Sequence, residues 1–223
     1  MPRLLAIGDI HGCSKALDTL LQFVRPAPED QIVTLGDYID RGPDSRGVLD
    51  RLIALRATGR LIALRGNHEL MMIGAATSFS AQEFWLAVGG REALASYGPG
   101  GLQDIPDEHW RFVEKHCVDW HETDRHFFVH ANAMPDLPLS EQPSEILHWD
   151  IVSPRTPPHE SGKIMICGHT EQLGGWPLAL PHLICIDTWC YGGGWLTCLD
   201  VGSGRIWQAN QNGETRMGYI DID

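Results

Sequence analysis

Apolar residues fall in short blocks separated by polar, glycine-bearing turns, and the blocks alternate between two spacings. "RLLAIGD" at the start reads as a buried strand. From Lys15 the apolar positions Leu17, Leu20, Leu21 and Val24 recur at three and four residues, the face of a helix closed by Pro26 and Pro28. Gln31 to Leu35 forms a second short strand ending in "GDYIDRG". A second helix follows Pro43, with Val48, Leu49, Leu52 and Ile53 inward and Gly59 as its stop. "RLIALRGNHE" is a third strand and its exit loop. The first third of the chain thus reads strand-helix-strand-helix-strand, an α/β arrangement that presents the carboxyl ends of its strands on one edge.

Residues 75–125 change character. They hold Trp85, Trp110 and Trp120, the turn "SYGPGG" and helix-like pieces such as "DEHWRFVEKH", and read as a mostly helical insertion. Five further strand candidates follow: "HFFVHA" from 126, "KIMICGH" from 163, "HLICID" from 182, "WLTCLDV" from 195 and "RIWQAN" from 205. Their close spacing suggests antiparallel pairing in a second sheet. The proline-rich stretch 135–158 is too long for a turn and reads as an ordered loop over the site or a mobile flap. One domain over residues 1–223 accommodates all of this.

Bulk properties narrow the class. The chain is 43% hydrophobic and 21% charged, as in globular proteins. Its formal charge of −12, from 17 basic and 29 acidic side chains, argues against general nucleic-acid binding, which needs clustered cations. Six cysteines, none in a CxxC pair, read as reduced thiols rather than a disulfide framework. The opening residues are too short for a signal peptide and no apolar run has membrane-spanning length, so a cytoplasmic protein without membrane association is expected.

The strand ends carry the chemistry. Asp9, His11, Asp37, Asn67, His130 and His169 each fall at or just beyond a strand end. Singly, each has an ordinary explanation. Asp9 suits a turn, a lone histidine is commonly structural, and Asp40 with Arg41 could be a local ion pair worth under roughly 1 kcal/mol. Together, two carboxylates, one amide oxygen and three imidazoles form a mixed oxygen and nitrogen set suited to Mn²⁺, Fe or Zn²⁺. Six ligands suit two ions about 3.5 Å apart that share a carboxylate and a water, an arrangement that activates water for attack on a phosphoryl group. His68 follows Asn67 directly and reads as a general acid outside the metal shell, with Asp40 fixing its tautomer and Arg41 placed to grip phosphate.

The blocks "GDIHG", "GDYIDRG" and "GNHE", followed by "VHA" and "GHT", resemble the signature of the phosphoprotein phosphatase family of calcineurin-like metallophosphoesterases, in particular its short bacterial and phage members such as bacteriophage lambda phosphatase and the symmetrical diadenosine tetraphosphatases. The resemblance is strong over residues 3–72, clear over 126–210 and poor between them. It implies a four-layer α/β/β/α fold around a central β-sandwich. It implies that Asp9 and His11 bind one ion, that Asp37 bridges, and that Asn67, His130 and His169 complete the second, with Asn67 also facing phosphate. It further implies Mn²⁺ as the usual activating ion and phosphomonoester hydrolysis by a hydroxide shared between the ions, with His68 and Asp40 as the acid pair. Relatives carry a second phosphate-binding arginine between the last two histidines, and the resemblance assigns Arg155, in the differing context "DIVSPRTP", to that place. Where relatives have glycine after "IDT" this chain has Trp189, which reads as core packing.

The expected substrate is phosphoserine or phosphothreonine, or phosphotyrosine, in a protein or peptide. A symmetrical dinucleoside tetraphosphate hydrolase is the alternative, mildly disfavoured by the low count of basic residues. A noncatalytic scaffold has no chemical reason to hold the full ligand set, and the acidic charge weakens a polynucleotide phosphatase. An aromatic clamp of Trp85, Tyr97 and Trp189 beside a basic channel would favour the dinucleotide.

Overall fold

The structure, a computed structural model, describes residues 2–220; Met1 and 221–223 of the expected domain lie outside the described residues. Strands β1 (Leu4–Ile7), β2 (Gln31–Thr34) and β3 (Leu61–Leu64) are parallel neighbours linked by α1 (Ser14–Val24) and α2 (Ser45–Ala57). Alternation along β1 splits its side chains between two cores. Leu5 and Ile7 pack with Leu17, Leu20, Val48 and Leu52 under the helices, while Ala6 points the other way. Asp44 caps α2 by accepting from the Gly47 N–H at 2.9 Å.

Beyond β3 the expected exit loop is instead a helix, α3 (Asn67–Ala75), so Asn67 and His68 occupy a first helical turn. Gly66 enters in extended conformation, and the carboxylate of Glu69 turns back to accept its N–H at 2.8 Å, closing the turn. The chain continues through α4 (Phe79–Trp85), a π-helical turn over 86–90, α5 (Arg91–Tyr97), α6 (Asp107–Arg111) and a second π-helical turn to His116. It then forms β4 (Cys117–Val118), parallel to β3, and β5 (Trp120–Glu122), at the edge of a second sheet. These helices are therefore the crossover from β3 to β4.

The second sheet has the order β5-β6-β7-β9-β8, with β6 (His126–Val129), β7 (Ile164–Cys167), β8 (Leu178–Leu180) and β9 (Leu183–Cys185). Between β6 and β7 lie residues 135–158, which include a 3₁₀ turn (Leu139–Glu141) and the helix α7 (Ser144–Trp149). The chain changes sheet after Cys185: β10 (Asp187–Thr188), β11 (Trp195–Asp200), β12 (Arg205–Ala209) and β13 (Thr215–Tyr219) extend the first sheet past β1. This corrects the expectation of one antiparallel second sheet. β6, β7 and β9 are parallel, and the antiparallel strands β11 and β12 belong to the first sheet. The central strands are buried on both faces, so they lack the polar alternation that would separate the two pairing modes.

Ala6, Val33, Leu64, Phe128, Ile166 and Ile184 meet between the sheets and form the sandwich core. Burial of a side chain such as Phe128 is worth about 1.5–3 kcal/mol. On the far side of the second sheet, Phe127, Val129 and Met165 pack beneath Leu139, Leu147 and Val152, so segment 135–158 is the outer cover. All six cysteines are free and buried. Among the described residues no helix is long and apolar enough to cross a membrane.

Candidate metal centre

β1, β2, β3, β6 and β7 deliver their carboxyl ends to one place. The turns leaving β2 and β3 touch so closely that a Cβ on Gly36, at φ +99°, would fall 2.6 Å from the Gly66 nitrogen. Among the described residues, five of the seven non-glycine positions with positive φ are here: His11, Asp37, Asp40, Arg41 and His169. Left-handed backbone costs an L-residue roughly 1–2 kcal/mol.

Asp37 lies at the middle. Its carboxylate is 3.4 Å from His11 Nε2 and 3.5 Å from His130 Nε2. It accepts from the His68 N–H at 3.1 Å, and its own N–H donates to Glu69 at 2.9 Å. One end of the Asn67 amide sits 2.9 Å from His130 Nε2, 3.2 Å from His169 Nδ1 and 3.3 Å from both Asp37 carboxylate oxygens, where its N–H donates to them and its oxygen would face a cation. Asp9 accepts from the His169 N–H at 3.0 Å through one oxygen, while the other, although buried, has no hydrogen-bond partner.

The imidazoles show what this crowding means. The outer nitrogen of each candidate ligand meets a backbone carbonyl: His11 Nδ1 with Ile39 at 2.9 Å, His130 Nδ1 with Leu35 at 2.7 Å, and His169 Nε2 with Trp149 at 3.2 Å. That bond fixes the tautomer and leaves the inner nitrogen a bare lone pair. Burial lowers all three, His11 to about 3 and His130 to about 4, so they are neutral. Lone pairs of three imidazoles and a carboxylate therefore converge, and the Asn67 amide is the one group among them that can turn either its oxygen to a cation or its N–H to those lone pairs. The Asp9 carboxyl, pushed well above its ordinary value by burial and by the neighbouring Asp187 and Asp37, adds another orphaned acceptor. Such a set fits divalent cations and little else. Potential ligand atoms lie within 4.8 Å of one another in two groups here, His11, Asp37 and His68 on one side and Asp37, His130 and His169 on the other.

His68 differs from the other three. Its Nδ1 is bonded to the Asp40 carboxylate at 2.6 Å, not to a carbonyl. Burial would lower it, but the Asp37 charge and the Asp40 hydrogen bond outweigh that and raise it above the ordinary value. Asp40 is braced by the Trp85 indole N–H at 2.8 Å. Trp85 and Tyr97 are buried, so neither joins Trp189 in an open clamp. Trp189, in left-handed backbone, is half-buried and packs edge-on to Tyr191, more exposed than the core position expected.

Arg41 reaches the same edge. Its backbone N–H donates to Gly89 in the π-helical turn at 3.2 Å. Its Nη1 lies 3.4 Å from His11 Nε2 and 3.0 Å from Glu171. Arg155 stands elsewhere. It is exposed on segment 135–158, lines a separate cleft with Asn132, Asp150 and Ile151, and among the described residues its guanidinium pairs with no candidate ligand.

Three residues not foreseen from sequence shape the site. Glu69 accepts from the N–H groups of Asp37, Tyr38 and Gly66, tying the β2 and β3 turns together. Its place three residues into a helix was the available signal. Asp187 is buried, raised to about 7 by burial, and its charge bears on Asp9 and Asp37. Like Asp9 it follows an apolar strand. Glu171 had no local signal.

The convergent donor set on the carboxyl edge of a double-sheet sandwich defines a metallophosphoesterase architecture. The chain belongs to the calcineurin-like phosphoesterase family, whose sequence profile matches residues 2–194, and members of this family use a dimetal centre. It is similar to serine/threonine-protein phosphatase 1 of Salmonella typhimurium, 46% identical over 85 residues, covering 38% of this chain and 37% of the relative. It is also similar to the symmetrical bis(5'-nucleosyl)-tetraphosphatase of a Janthinobacterium species, 32% identical over 138 residues, covering 58% of this chain and 43% of the relative. Each match thus spans less than half the relative's length. A solved structure provisionally assigned as a diadenosine tetraphosphatase has the same fold, with a TM-score of 0.67 at 20% identity over 98% of this chain and 96% of that one.

Proposed function

We propose that this phosphoesterase removes phosphate from phosphoserine and phosphothreonine, and also phosphotyrosine, in proteins, with a pair of Mn²⁺ ions held by Asp9, His11, Asp37, Asn67, His130 and His169. The observation that carries hydrolysis is the contrast among the imidazoles: three neutral with lone pairs inward, and His68 raised and bonded to Asp40 at 2.6 Å. Bound ions supply an activated water and neutralise charge on the phosphoryl oxygens. His68, positioned by Asp40 and Trp85, holds a proton for the departing alkoxide. Arg41 orients the phosphoryl group, and Asn67 faces it from the first turn of α3.

Beside Arg41 lies a cleft of about 440 Å³ walled by Leu86, Val88, Gly89 and Tyr191, with Arg91 and Glu92 on its rim. Arg41 is already paired with Glu171, and Arg91 shares the cleft with Glu92, so the formal charges around the cleft balance and give little attraction for a chain of phosphates. That favours a peptide over a dinucleoside tetraphosphate. The second reading, symmetrical hydrolysis of a dinucleoside tetraphosphate, draws on the Tyr191 ring in the cleft and the half-buried Trp189 ring packed edge-on to it, which offer aromatic surface for a base.

The test is a panel on Mn²⁺-loaded protein comparing kcat/KM for phosphopeptides, free nucleotides, dinucleoside tetraphosphates and a 3′-phosphorylated oligonucleotide. Phosphopeptides should lead. A dinucleoside tetraphosphate ahead of every phosphopeptide transfers the conclusion to the second reading.

A further inference from the structure

Arg41 has one nitrogen turned toward the metal centre, Nη1, 3.4 Å from His11 Nε2. That nitrogen is engaged: it donates to Glu171 Oε1 at 3.0 Å. The same carboxylate oxygen accepts the Tyr191 hydroxyl, and the Tyr191 ring lies 4.7 Å from the guanidinium carbon. Two donors on one oxygen and an aromatic face behind the cation fix Glu171 and Arg41 as a unit. It is not a buried structural pair, since the two side chains are 30% and 31% exposed and Arg41 and Tyr191 line the substrate-side cleft. A substrate entering that cleft meets the carboxylate as well as the guanidinium.

We propose that Glu171 is a specificity-determining residue: its carboxylate, held on the phosphate-facing nitrogen of Arg41, repels negative charge beyond the scissile phosphoryl group and selects monoesters with uncharged leaving groups over polyphosphate chains. The inference rests on reading Arg41 as the phosphate-binding group of this phosphoesterase site. An alkoxide leaving group carries no anionic oxygens in the ground state, so it meets Glu171 without repulsion. A di- or triphosphate leaving group places further anionic oxygens against a fixed like charge held directly on the phosphate-facing nitrogen of Arg41.

Glu171→Gln keeps the length of the side chain and an oxygen for Tyr191 and Arg41 while removing the charge. The test measures kcat/KM of the Mn²⁺-loaded wild type and variant for diadenosine tetraphosphate, ATP and a phosphoserine peptide. In parallel, the inhibition constants of orthophosphate and tripolyphosphate are compared. The ratio of polyphosphate to peptide kcat/KM should rise about tenfold in Glu171→Gln, and tripolyphosphate should tighten more than orthophosphate. An unchanged ratio, with all substrates weakened alike, makes Glu171 only a brace for Arg41 and overturns the proposal. Should Glu171→Gln fold poorly, Tyr191→Phe removes the hydroxyl that fixes the carboxylate. It should shift the ratio in the same direction by a smaller factor, and no shift overturns the proposal. The wild-type preference tests the proposed substrate class; the change between wild type and variant tests Glu171, so each can fail alone.

Discussion

Two aspartates near opposite ends of the first strands are equally buried and differently treated. Asp30, just before β2, is 2% exposed, and Asp9, just after β1, is 3% exposed. Asp30 accepts from Arg3 through the backbone N–H at 2.8 Å, Nε at 2.9 Å and Nη2 at 2.5 Å, and from the Ala27 N–H at 2.8 Å. Burial would raise its carboxyl, but Arg3 and Ala27 draw it below the ordinary range. Asp9 has a single N–H donor and an orphaned oxygen, and its carboxyl is driven upward. Where the fold compensates a buried carboxylate with its own donors, the charge serves the structure. At Asp9, where it withholds them beside converging imidazoles, the charge is left for a cation.

That contrast is most exposed to failure at the metal centre. Asp9→Asn and Asp37→Asn should lower Mn²⁺ affinity and kcat/KM by at least about a hundredfold, read by elemental analysis and phosphatase assay, while the chelator-treated proteins melt at or above wild type. Full metal content in Asp9→Asn would falsify the assignment of its orphaned oxygen. His68→Asn should lower kcat by about 10²–10⁴ with KM nearly constant and metal content preserved. Loss of both ions in that variant would make His68 a ligand.

Asp30→Asn should show the reverse profile. It should lose about 1–3 kcal/mol of stability, seen as a fall in Tm, with kcat unchanged. A normal Tm removes the structural half of the comparison.

The pH dependence separates the two ends by sign. The Asp30 carboxyl, lowered in the fold, adds stability above its unfolded value near 4, lost as pH falls through the folded value. Glu69 and Asp187 are raised to about 7 chiefly by burial, so their contribution is present below about pH 4 and lost as pH rises through 7. A cation at the neighbouring centre favours their charged forms, so chelator-treated protein should gain more Tm from added Mn²⁺ at pH 8 than at pH 5; equal gains would show that their ionisation is not coupled to the metal centre. The smallest effect belongs to Arg155→Ala, expected to change KM for a phosphopeptide less than about twofold, since its guanidinium reaches none of the candidate ligands.

Much of the site was legible because it is built at strand ends. Asp9, His11, Asp37, Asp40, Arg41, Asn67, His68, His130 and His169 all follow short apolar runs, and parallel strands bring such positions to one edge. What stayed hidden depends on packing between distant segments. Trp85 braces Asp40 across 45 residues and Glu171 meets Arg41 across 130, and neither leaves a periodic trace. The division of strands between sheets was misread because β6, β7 and β9 bury both faces. The helix beginning at Asn67 was missed because "GNHE" reads equally well as a turn, until Glu69 is seen to close it.

The left-handed backbone at His11, Asp37, Asp40, Arg41 and His169 sets a limit on how this protein can be improved. Relaxing these positions toward glycine would toughen the fold and at the same stroke delete the groups that do chemistry. Selection for heat resistance alone should therefore drift toward an inert scaffold, and laboratory evolution of this chain has to keep activity under continuous selection from the first round.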